Sequence, residues 1–177
     1  MSRVVIALIA SHDTQNMMRS WATAAGFNLS TDYDGNPREA DRFDFHVTLV
    51  ASANDVFVPE TQHMIRPIGL DGIGFDVLGV DRQVPVLKMA ESARLLAMRQ
   101  FFVETYGIEP TFADYKPHVS LSYAWTGAPA LEDLAPPDEP LFFDQLRVKL
   151  FADGKKALPW AGIAQGLAAL RKAAEWH

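Results

Sequence analysis

The sequence predicts an α+β domain of two lobes, each an antiparallel sheet with a flanking helix, around a central cleft. Three observations lead there. Extended and helical patterns run in the order strand, helix, strand, several strands, helix, strand, strand, helix, so the chain reads as two similar halves related by a pseudo-twofold axis. Each half contains one version of the same phrase, FDFHVTLVAS and YKPHVSLSYA. The 177 residues are 49% apolar and 21% charged, with no linker or low-complexity stretch, which suits one domain over 1–177 with a real core.

The elements follow in order. Arg3 to Ala10 is rich in Val and Ile and alternates poorly, as a central strand does. Asp13 introduces a helix in which Met17, Trp21, Ala24 and Ala25 recur at helical spacing and Gly26 supplies the stop. NLSTDYDGNPREADR is a polar loop, and FDFHVTLVAS is a strand with strict alternation. MIRPIGL, GFDVLGV and VPVLKM read as three strands, the last two joined by a DRQ turn. A helix from Ser92 to Tyr106 carries the stripe Leu95, Met98, Phe102, Tyr106 and ends at Gly107. YKPHVSLSYA is a strand whose start is set by Pro117, and LFFDQLRVKLFA is a long strand. The tail GIAQGLAALRKAAEWH is an amphipathic helix just beyond Trp160.

Composition removes several classes of function. There is no cysteine, hence no disulfide, thiolate zinc site or cysteine nucleophile, and a reducing cytoplasm is the expected location. The opening SRVVIALIAS is too short to span a bilayer and does not resemble a signal peptide, so no membrane partner is expected. The net charge is −6 with scattered basic residues, which disfavours a long nucleic acid and leaves a short nucleotide as a candidate ligand.

The repeated phrase carries the chemistry. Residues two apart on a strand share a face. Phe45, Val47 and Leu49 therefore point one way, and Asp44, His46 and Thr48 the other. In the second phrase Pro117, Val119 and Leu121 form the buried face, opposite Lys116, His118, Ser120 and Ser122. If the lobes face each other, two imidazoles and two hydroxyls converge. Imidazole titrates near ~6.5, so one ring can take a proton while the other gives one. Hydroxyls of Thr48 and Ser120 can donate to phosphate oxygens as charge builds. Such a set splits a phosphodiester without a cofactor and without the ligand spacing of a metal site.

Other histidines carry less. His12 sits beside Asp13 at a helix start, where local hydrogen bonding accounts for it; His63 and His177 have no companions. A metal site from His12, Asp13 and His46 has no recognisable spacing. A serine hydrolase is disfavoured, because no G-x-S-x-G elbow occurs.

FHVTLV and PHVSLS resemble the paired motifs of the two-histidine (2H) phosphoesterases, a superfamily that includes bacterial 2′-5′ RNA ligase-like enzymes and RNA cyclic phosphodiesterases. The resemblance covers most of the chain in element order, and its specificity lies in the two motifs. SWATAAGF, HVTLVAS and TFADYKPHVSLSY look most like the bacteriophage anti-CBASS cyclic-oligonucleotide phosphodiesterases, which degrade cyclic di- and trinucleotide signals such as cyclic GMP–AMP in the bacterial host cytoplasm. The resemblance implies a metal-independent hydrolase acting through His46, Thr48, His118 and Ser120. The ribose 2′-OH would attack phosphorus to give a 2′,3′-cyclic phosphate, which water opens to a 3′-phosphate. It also draws in Trp160, either as a stacking platform for a base or as packing for the last helix. Lys116, on the face of His118, either meets a phosphate or is a solvated strand-end lysine.

Three functions compete. The first is cleavage of small cyclic oligonucleotides. The second is hydrolysis of RNA 2′,3′-cyclic phosphates or 2′-5′ linkages. The third is a nucleotide sponge, which two proton-transfer groups argue against.

Overall fold

The computed structural model describes residues 2–79 and 83–152. The run of apolar residues at the N-terminus is explained by its position. Strand β1 (Ser2–Ala10) lies inside the sheet, and Val4, Ile6 and Leu8 on one side and Ala7 and Ile9 on the other are all buried. A strand covered on both faces has no position to spare for a polar residue.

Helix α1 (His12–Ala24) is capped by Ser11, whose Oγ accepts from the Thr14 N–H at 3.3 Å. It ends in a Schellman closure: Phe27 N–H donates to Ala22 O at 2.9 Å and Gly26 N–H to Thr23 O at 3.0 Å, with Gly26 at φ 91°. The predicted stripe is corrected by one position. Thr14, Gln15, Met18 and Ala22 face the core, while Met17 and Trp21 are only partly covered. The helix also starts earlier than the sequence suggests: Ser11 is the cap and Asp13 lies in the first turn.

The rest follows in order: β2 (His46–Ala51), β3 (Thr61–Leu70), β4 (Gly72–Leu78), β5 (Val84–Met89), α2 (Ala93–Tyr106), β6 (His118–Ser120) and β7 (Leu141–Ala152). In α2 the Ser92 Oγ accepts from Leu95 N–H, Gly107 closes the helix in the left-handed region, and Leu95, Met98 and Phe102 are fully buried as expected. The GIAQGLAALRKAAEWH helix and Trp160 lie outside the described residues.

The α+β class is borne out, but the strands form one seven-stranded antiparallel sheet, in the order β3-β7-β1-β2-β6-β5-β4. Two separate sheets were expected. The motif strands β2 and β6 are instead neighbours, joined at the single paired position Val47↔Val119. The reason lies in the core. Val47, Leu49, Val119 and Leu121 all enter one cluster with Val4, Leu8, Met18, Leu95 and Phe102, so both helices share one apolar face of the sheet. Strands that feed one core are drawn edge to edge and pair. Among the described residues no helix is long and apolar enough to cross a membrane.

Candidate active site: two histidine–hydroxyl pairs on one sheet face

The register of β2 against β6 assembles the four motif residues. With Val47 opposite Val119 in an antiparallel pair, His46 stands opposite Ser120 and Thr48 opposite His118. Both valines are fully buried toward the helices, so the four polar residues share the other face. Directly opposite side chains in such a pair have Cβ atoms about 4.5–5.5 Å apart, and the diagonal His46–His118 pair is separated by roughly 7–8 Å. That diagonal places one phosphate within reach of both rings. The predicted alternation, Phe45, Val47, Leu49 against Asp44, His46, Thr48, agrees with the burial of the first three.

Each ring is set by the same local device. His46 Nδ1 lies 2.9 Å from Asp44 O, and His118 Nδ1 lies 2.7 Å from Lys116 O. A carbonyl oxygen only accepts, so Nδ1 carries the proton and Nε2 is left to exchange one. The sequence explains why the acceptor is free. Each histidine is the first residue of its strand, so the carbonyl two residues earlier falls outside the ladder. Asp44-Phe45-His46 and Lys116-Pro117-His118 are thus the same turn into a strand, written twice.

Gln15 braces the first of these turns. Its Oε1 accepts from Phe45 N–H at 3.0 Å and its Nε2 donates to Phe45 O at 2.9 Å, inside the protein. Gln15→Ala leaves the Phe45 N–H buried and unpaired. Urea denaturation of that variant is expected to show a stability loss of about 1–3 kcal/mol; an unchanged midpoint would mean the turn holds without the brace.

The His46 ring is held below the ordinary imidazole pKa. Burial is the main cause; the Asp44 carbonyl and carboxylate pull the other way, and the Arg147 and His118 cations push down again. Arg147 on β7 pairs with Ala7, and Ala7 with Thr48. Its guanidinium reaches Asp44 Oδ2 at 3.0 Å. The signs are testable. Because the folded value is depressed, the unfolded chain binds more protons below about pH 6.5, and stability drains away as pH falls from there toward the folded value. In a titration of the His46 ring by NMR, Asp44→Asn is expected to move its midpoint lower and Arg147→Ala to move it higher. Equal midpoints in the three chains would separate the ion pair from the ring.

Around the pairs, the second strand departs from expectation. The strand ends at Ser120, so Ser122 does not share its face. Ser122 is fully buried, with Oγ donating to Asn28 O at 2.6 Å. Tyr123 turns back instead and forms a side-chain hydrogen bond with Ser120, while burial raises its phenol pKa. Its ring packs edge-on against the exposed Tyr33 at 5.7 Å and against Phe43 at 5.4 Å. Alternation cannot find Tyr123, because it lies past the strand end. Arg147 was accessible from the polar positions Gln145, Arg147 and Lys149 alternating with buried Leu146 and Val148.

Lys116 is exposed and supplies the carbonyl that orients His118. His12 stands apart at the start of α1, its Nε2 3.0 Å from the Asn16 amide, and His63 lies on the edge strand β3. Among the described residues no group of three or more His, Asp or Glu side chains is placed to hold a metal ion. No protein-family model matches the chain, and no curated protein matches its sequence.

Proposed function

We propose that the chain is a two-histidine phosphodiesterase that hydrolyses 3′-5′ bonds of small cyclic oligonucleotides by proton transfer, as its motifs' likeness to the phage anti-CBASS enzymes suggests. The observation that carries this reading is the duplicated ring setting: two imidazoles with Nδ1 tied to a carbonyl and Nε2 free, each directly across from a hydroxyl on one sheet face.

In this reading His46 is the base of the first step. Its burial favours the neutral ring, which takes the proton of the ribose 2′-OH. The 2′-oxygen bonds to phosphorus, the P–O5′ bond breaks, and protonated His118 gives its Nε2 proton to the departing O5′. The products are a 2′,3′-cyclic phosphate and a 5′-hydroxyl. Roles then reverse: His118 takes a proton from water, and His46 returns its own to the 2′-oxygen, leaving a 3′-phosphate. Thr48 and Ser120 donate to the non-bridging oxygens. The net charge of −6 favours a small substrate over a long RNA.

A panel read by chromatography tests it: cyclic dinucleotides, cyclic trinucleotides, 2′-5′ oligoadenylate and 2′,3′-cyclic nucleotides, each with and without EDTA. Expected are linear products with 3′-phosphate ends from the cyclic oligonucleotides, unaffected by chelation. Turnover confined to 2′,3′-cyclic nucleotides or 2′-5′ bonds selects the RNA-processing activities. Tight binding without cleavage selects the sponge, and loss on chelation defeats the metal-independent mechanism.

A further inference from the structure

The two histidines have different neighbours. Beside His118 they are charged: Lys88 stands directly opposite it on β5, and Lys116 comes two residues before it. Beside His46 they are aromatic. Ser120, the residue opposite His46, is hydrogen-bonded to the Tyr123 phenol. The Tyr123 ring lies 5.4 Å from that of Phe43, which comes three residues before His46. Tyr33 extends this cluster outward, its ring 5.7 Å from that of Tyr123 and at 89° to it.

The loop that carries Tyr33 closes on itself. Thr31 and Pro37 form an antiparallel bridge, and Arg38 N–H donates to Ser30 O at 2.9 Å. Within that bridge Asp32 N–H donates to Asn36 O at 3.0 Å, Gly35 N–H to Asp32 O at 3.0 Å, and Asn36 N–H to Asp32 Oδ1 at 2.8 Å. Gly35 turns the chain at φ 87°, where a side chain would be strained. Tyr33 sits in the tip of this small hairpin, 71% exposed. One neighbour at right angles can cover at most one face of its ring, so that exposure leaves an aromatic face open. An isolated exposed aromatic would mean little. This one is the outer end of a row of rings that reaches a catalytic-face hydroxyl.

From this we infer that Tyr33 is a stacking platform for the base of the nucleoside that supplies the attacking 2′-OH, and that it accepts any base. The inference rests on the phosphodiesterase reading, which makes His46 the group that takes the 2′-OH proton. C1′, which bears the base, is bonded to C2′, which bears the attacking oxygen. The base therefore follows the 2′-OH to the His46 side, where the rings lie. Every base has a π-face, so a tyrosine ring responds to stacking area and not to a pattern of donors and acceptors. Tyrosine has few torsions to freeze, and the closed loop and Tyr123 order this ring before a base arrives, so little freedom is lost on binding.

Adenosine and uridine 3′-monophosphates, which carry the end group of the proposed reaction, are the probes, with inorganic phosphate as the base-free control. Each is titrated into the full chain and followed by NMR of the Tyr33 and His46 rings. Both nucleotides are expected to bind more tightly than phosphate and to shift the Tyr33 ring signals, which phosphate leaves in place. Tyr33→Ala should weaken both nucleotides about tenfold, within the range for one stacking aromatic, and leave phosphate binding unchanged; Tyr33→Trp should restore the affinity. Nucleotides that bind no tighter than phosphate, or that bind Tyr33→Ala as they bind the parent, overturn the platform. A loss in Tyr33→Ala that Tyr33→Trp does not recover marks a structural role and overturns it as well. The two readings fail separately. A chain that cuts cyclic oligonucleotides but binds these nucleotides without Tyr33 sinks only the platform. A chain that stacks them on Tyr33 and cuts no phosphodiester sinks only the phosphodiesterase.

Discussion

Replacing His46 with Ala is expected to lower kcat about 10²–10⁴-fold, and replacing His118 with Ala to do the same, since in the proposed mechanism each ring carries one proton transfer of the step. The double variant should be little worse than either single one, because two groups that act together on one transition state do not contribute independently. Neither ring belongs to the apolar cluster, so both variants should unfold near the parent midpoint; His46→Ala also removes a ring whose burial disfavours its charged form. A pH–rate profile adds a readout that folding cannot mimic. In the proposed mechanism the acid limb of the parent is expected to follow the neutral form of His46 and to lie below the ordinary imidazole value, because burial depresses that ring. It should be missing from the residual activity of His46→Ala. A folded variant turning over near the parent rate would strike that histidine from the mechanism.

The sequence makes the site more legible than the sheet that carries it. Alternation in a strand is a local rule, and His46, Thr48, His118 and Ser120 could be put on one polar side of their strands from the buried valines between them. That the two strands are adjacent is not local. It depends on Val47 and Val119 facing the same helices, and nothing in either phrase states which strand the other will pair with. The same limit applies to Ser122. Periodicity continues past Ser120 on paper, whereas the chain stops pairing there and buries that hydroxyl against Asn28. Arg147 and Gln15 meet the first motif from 101 positions after His46 and 31 before it, by way of sheet register and helix packing. Only the fold brings such residues to one histidine.

The hydroxyls provide the second large effect. Thr48→Val keeps the volume and removes the donor, and it is expected to lower kcat about 10²–10³-fold, the usual consequence of deleting one donor aimed at developing oxyanion charge. Ser120→Ala should cost a similar factor, and Ser120→Thr should keep most of the activity, because the hydroxyl survives on a strand that tolerates a β-branched residue. Substrate KM should move much less than kcat in both deletions, as befits a bond that strengthens when charge accumulates on phosphate. Ser120 is the better probe of orientation. Its hydroxyl is tied to Tyr123, so Tyr123→Phe frees the serine rotor while leaving the donor in place. A loss of about tenfold is expected there, smaller than removal of the hydroxyl itself and likewise confined to kcat. If Thr48→Val and Ser120→Ala both raise KM and spare kcat, the hydroxyls hold ground-state substrate, and charge stabilisation must be sought in the nearby cations Lys88 and Arg147.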